Sequence, residues 1–151
     1  MIIIYAPEGA DEQHFDAGKL RASEIQIAER TAGANWRDIK EAVSEGEINA
    51  MRTVAWVIRK RAEPGLRYGD FDPWEGELRA RLDAREVKGY AEALLEEYGS
   101  TPEALAEAFD ELRDSAFNRE DAEAAIADVT APKDPAPALE PEPIPASPSA
   151  A

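Results

Sequence analysis

The chain has no cysteine and a single histidine, His14, among 151 residues. A disulfide framework and a thiolate metal site are therefore excluded, and so are the usual zinc constellations. No apolar run approaches the roughly 18–20 residues that span a bilayer. The opening Met1-Ile2-Ile3-Ile4 is apolar but lacks the charged flank and length of a secretory leader. No glycine-rich phosphate loop and no serine or threonine nucleophile motif is present. The expectation is a soluble, intracellular, non-enzymatic protein without cofactor or metal.

Negative charge is abundant. The formal net charge is −15, and it is unevenly spread. Residues 1–67 hold 10 Lys/Arg against 11 Asp/Glu, whereas residues 68–151 hold 7 against 21. A field of that sign repels phosphate, which argues against DNA or RNA as the main partner, and no membrane partner is expected. With so many carboxylates, pairs such as Asp70 and Asp72 carry little information, and a solvated acidic turn accounts for them. His14 reads as an exposed loop residue.

The apolar pattern predicts a mostly α-helical fold: a small bundle with one short N-terminal strand or arm and a disordered Pro-rich tail. Ile2–Tyr5 is β-branched and aromatic and is stopped by Pro7. Residues 8–15 read as a polar loop. Asp16 is placed to cap a helix running to about Thr31, with Gly33 as its stop. Leu20, Ile27 and Thr31 share one face of that helix with Glu24. Asn35 caps a second helix bearing Trp36, Ile39 and Val43. Ser44 and Glu47 form a capping-box pair for a third, over 47–62.

That third helix lines up Ile48, Met51, Val54, Ala55, Ile58 and Ala62 on one stripe. Trp56 and Val57 project well to either side of it. Pro64-Gly65 ends the helix, and the stretch 66–78 reads as a loop returning its aromatics to the helices. Further helices are predicted over 83–98 and 102–116, the latter with Pro102 in its first turn. A thinner stripe of Ala122, Ile126 and Val129 follows Asn118. Seven of the eleven prolines fall in the last twenty residues, which no core can absorb. The organisation expected is a helical core over 1–78, an acidic helical region over 79–131 and a tail over 132–151.

Two features stand out. The cations Arg59, Lys60 and Arg61 close the most apolar helix. They complement its dipole, or one of them pairs with Glu24, which sits on an otherwise apolar face. The leftover hydrophobicity of Trp56 and Val57 is either buried by a second neighbour or left open as a docking surface. In the second case Met51, Leu66, Tyr68 and Phe71 belong to the same surface.

The order of features resembles the tail assembly chaperones of long-tailed phages that infect actinobacteria. The resemblance runs over roughly residues 13–75. It is carried by Phe15-Asp16-Ala17-Gly18-Lys19-Leu20, Glu24, Ile27, Glu29-Arg30-Thr31-Ala32-Gly33, Trp36, Ala42 and Gly46. It continues in Ala55-Trp56-Val57, Lys60-Arg61, Pro64-Gly65-Leu66-Arg67-Tyr68 and Asp70-Phe71-Asp72. Ala32 departs from the valine-like residue common in the family. The resemblance implies a host-cytoplasmic helper, absent from the mature virion, that binds the helical tape measure protein and keeps it soluble while the tail tube assembles. A frameshifted longer form of the chain, the tail tube protein and a second copy of the chain are further candidate partners. Two other readings stay open: an acidic DNA-mimic inhibitor and a head–tail adaptor.

Overall fold

The computed structural model describes residues 1–132 and is mostly helical, with a small sheet at its N-terminal end. The tail expected over 132–151 lies, but for Pro132, outside the described residues. The elements in chain order are β1 (Ile2–Tyr5), β2 (Gln13–Asp16), α1 (Ala22–Ala32), α2 (Trp36–Ser44), α3 (Ile48–Arg59), β3 (Leu78–Arg81), α4 (Ala84–Tyr98), α5 (Pro102–Ser115) and α6 (Arg119–Thr130).

The N-terminal strand is not alone. It is the middle of an antiparallel three-stranded sheet ordered β2-β1-β3, with Ile3 opposite both Phe15 and Ala80. This solves the problem a lone strand has in water. It also corrects the reading of 8–15 as loop and of Asp16 as a helix cap. Phe15 must bury its ring beside Ile3, so Gln13–Asp16 is drawn into the sheet. The Asp16 carboxylate instead accepts from Gly18 N–H at 2.9 Å and caps a single 3-10 turn, Ala17–Lys19. Helix α1 then starts after Arg21, whose N–H donates to the Glu24 carboxylate at 2.7 Å.

Other helix ends follow the expected chemistry. Asn35 Oδ1 accepts from Asp38 N–H, Asn118 Oδ1 from Glu120 N–H, and Asp83 and Glu86 bond reciprocally across the first turn of α4. Gly33 closes α1 at φ 68°, which an L side chain rarely adopts. The cap of α3 differs from expectation. Glu47 itself accepts from Asn49 and Ala50 N–H, while Ser44 Oγ–H donates to Glu41 O and terminates α2.

Two apolar cores result. The first gathers the sheet, α1, α2, α3 and Phe71. The second is built by Val87, Ala91, Phe109, Leu112, Ala122 and Ile126 from α4, α5 and α6. The change of core comes at Arg81–Leu82 rather than at 78/79, because Leu78–Arg81 is claimed by the sheet. Ala80 packs on the first core and Leu82 on the second. Leu82 continues the strand direction far enough to exchange backbone hydrogen bonds with Ser115 and Phe117, which pins the α5–α6 turn to the sheet.

Candidate functional site

Helix α3 carries most of the residues that the sequence marks as a docking surface, and the structure places it at the centre of the first core. Helices α1 and α2 and all three strands pack around it, so more than one of its faces is covered. Met51, Trp56 and Val57 are buried, Val57 at 2% exposure, and Phe71 is buried with them. Leu66 and Tyr68 are partly buried against the same core. The docking surface read from Met51, Trp56, Val57, Leu66, Tyr68 and Phe71 is therefore corrected. The hydrophobicity that one stripe could not use is covered by the chain's own sheet, helices and 66–72 segment.

That segment is fastened with directed bonds. The Trp56 indole N–H donates to Leu66 O at 3.0 Å, and its ring meets Tyr68 edge-on at 5.2 Å. Arg52 donates to Phe71 O at 2.6 Å and Tyr68 O at 3.0 Å, and its guanidinium lies over the Tyr68 ring. Thr53 Oγ1 and the Tyr68 hydroxyl lie 3.2 Å apart. The backbone of a loop buried against a helix needs such partners.

The three cations have separate partners. Arg61 forms a two-pronged bond with Glu24, Nε and Nη2 each 2.7 Å from a carboxylate oxygen, and Nη2 also donates to Lys19 O. The Arg61 bond, assisted by Arg21 N–H, holds the Glu24 carboxyl down at about 2. Lys60 Nζ donates to Pro64 O and Leu66 O, finishing the turn after α3. Arg59 pairs with Glu63 at 3.0 Å and stands over the Phe71 ring. The basic cluster is thus consumed in structure, and Glu24 is explained as the link from α1 to the end of α3.

The open surface lies elsewhere. Two adjoining cavities of about 400 and 750 Å³ separate the two cores and share Met1, Ser44, Leu82 and Tyr90 in their walls. Their apolar floor comes from Leu82, Tyr90, Leu94 and Leu112, with Tyr90 51% exposed. Arg37 and Lys40 from α2, Arg81 from β3 and Arg85 from α4 line the cleft. Those four have no carboxylate within 4.0 Å among the described residues, as is also true of Arg21, Arg30, Lys60 and Arg67, whereas eight other cations have one. Glu41 and Glu111 also line it, and Asp83 and Glu86 are engaged by the Met1 amino group.

Sequence reasoning missed this cleft because its walls come from α2, β3, α4 and α5. The one local signal was Tyr90, a large apolar side chain on α4 beyond the Val87 and Ala91 that the core buries. Trp74, read as folding back, points outward at 80% exposure. His14 stands exposed at β2, 2.7 Å from Glu12 and edge-on to Phe117. Among the described residues no three His, Asp or Glu side chains converge as a metal site requires, and no helix is long and apolar enough to cross a membrane. Compared with protein families, curated proteins and solved structures, the chain matches none.

Proposed function

We propose that this chain is a tail assembly chaperone that binds the tape measure protein and keeps it soluble during tail tube assembly. The ordered resemblance over residues 13–75 supplies the family reading. The observation that supports it in three dimensions is the cleft between the two cores, an open groove with an apolar floor around Leu82, Tyr90 and Leu94, in a chain of net charge −15. A long amphipathic helix without a bundle to join exposes an apolar stripe and aggregates. A groove between helices is the form of surface that receives such a stripe. The charge on the second lobe keeps the complex dispersed. On this reading the client meets Tyr90 and Leu94 rather than the buried Trp56 and Val57.

The test is co-expression with a helical fragment of the tape measure protein, comparing the soluble fraction with and without this chain. Rescue that Tyr90→Glu abolishes, with an unchanged far-UV helical signal, supports the reading. A fragment that precipitates equally in both cases refutes it. Mass spectrometry of purified particles then separates a chaperone, which leaves the virion, from an adaptor, which stays.

A further inference from the structure

Trp74 is the most exposed large apolar side chain among the described residues, and its backbone lies in a hydrogen-bonded turn. The Trp74 backbone N–H donates to the Glu77 carboxylate at 2.9 Å, and Glu77 N–H donates to Trp74 O at 3.0 Å. Buried Phe71 anchors the approach, with its carbonyl held by Arg52. An exposed tryptophan on a hydrogen-bonded turn loses little backbone freedom on binding, which favours an interface anchor. Its neighbours Asp70, Asp72 and Glu75 are exposed carboxylates, and no Lys or Arg lies between 68 and 78. The fitting counterpart is an apolar hollow rimmed by cations.

The same chain carries that hollow. The interlobe cleft has an apolar floor around Leu82 and Tyr90, and Arg37, Lys40, Arg81 and Arg85 line it without internal partners. These four outnumber Glu41 and Glu111, the two lining carboxylates that also lack partners. We propose that copies of this chain associate head to tail, with the Trp74 turn of one seated in the interlobe cleft of the next.

The turn cannot fill its own cleft. Trp74 precedes β3 while Arg81 ends it and Leu82 follows, and a four-residue strand separates the two by about 13 Å. Donor and acceptor at opposite ends of one sheet make a heterologous contact, which propagates into a row or closes into a ring. Repulsion between two acidic bodies opposes it, but charges farther apart than about 8 Å are screened at physiological salt, while the seated contact is not. The turn of another copy and a client helix would compete for this one cleft, so each would displace the other.

The test is sedimentation velocity of the full chain at physiological salt, from roughly 10 to 500 µM, the range in which a modest interface reports. The wild type is expected to grow in mass with concentration. Trp74→Ala, and separately the double variant Arg37→Glu/Arg85→Glu, are expected to associate at least tenfold more weakly. All these positions are exposed, so the fold is kept, and circular dichroism verifies it. Mixing the two variants decides the geometry, because one retains the turn and the other the cleft, and they should form a one-to-one pair. A wild type that stays monomeric throughout, a Trp74→Ala protein that assembles like wild type, or a mixture that fails to pair would each overturn the proposal.

Discussion

Replacing Glu24 by Gln tests the link between α1 and the end of α3. The carboxylate accepts two bonds from Arg61 and one from Arg21 N–H. Its carboxyl titrates at about 2 in the fold against an ordinary 4.5. At about 1.4 kcal/mol per tenfold change in proton affinity, that displacement has a ceiling of about 3 kcal/mol. The Arg61 side chain is 40% exposed and can turn to water when its partner is lost, so screening cuts the figure. We expect about 1–2 kcal/mol at neutral pH. The sign follows from the depressed value. The contribution is complete above the ordinary 4.5 and fades as pH falls toward about 2. Urea unfolding of wild type, Glu24→Gln, Arg61→Ala and the double variant, at neutral pH and in steps down to the acid limit of the native state, reads the coupling directly. The gap between wild type and Glu24→Gln should close with acid. A gap that stays constant, or a coupling energy below about 0.3 kcal/mol, would refute the account.

Three further outcomes follow from the packing. Val57→Asp places an unpartnered charge at a site 2% exposed and should abolish cooperative unfolding, whereas Trp56→Phe, which loses the bond to Leu66 O, should cost about 1–3 kcal/mol by thermal or urea melts. Near-neutral effects of both would return α3 to the surface. Gly33→Ala should destabilise by about 1 kcal/mol because φ is 68° there, while Gly89→Ala, within α4 and facing open space, should stabilise by about 0.5–1 kcal/mol; the reverse order in a melt contradicts both assignments. Phe109→Ala should cost about 3–5 kcal/mol, with amide exchange rising across α4–α6 before α3. Simultaneous loss of protection in both halves would show that the two cores unfold as one.

The helices were readable because their apolar residues recur at three and four and their ends carry Asn35, Gly33, Pro102 and Asn118. The sheet was readable only at Ile2–Tyr5. Gln13–Asp16 and Leu78–Arg81 are four-residue segments with one or two apolar residues each, too short to mark a strand locally, and they pair because β1 offers two edges. Glu24 and Arg61 were legible as candidates because a carboxylate on an apolar face needs a partner. The fate of Trp56 and Val57 was not, since residues beside a stripe are equally suited to a neighbour inside the chain or outside it. Here Leu66 O and the covering sheet decide the matter. The cleft had no linear signature beyond Tyr90.

The position of β3 sets a timetable for the newborn polypeptide. The bond from Trp56 to Leu66 spans ten residues and that from Arg52 to Phe71 spans nineteen, so α3 and its covering segment close locally and early. Joining Ile3 to Ala80 requires about 77 residues to be in hand. At about 5–20 residues per second, the ribosome leaves one edge of β1 without its partner for roughly 4–15 seconds. During that interval Ile2–Tyr5 is a sticky ribbon beside neighbouring nascent chains on the same message. Mispairing in this protein is therefore concentrated at synthesis, and slower decoding between codons 16 and 78 would lengthen the exposure.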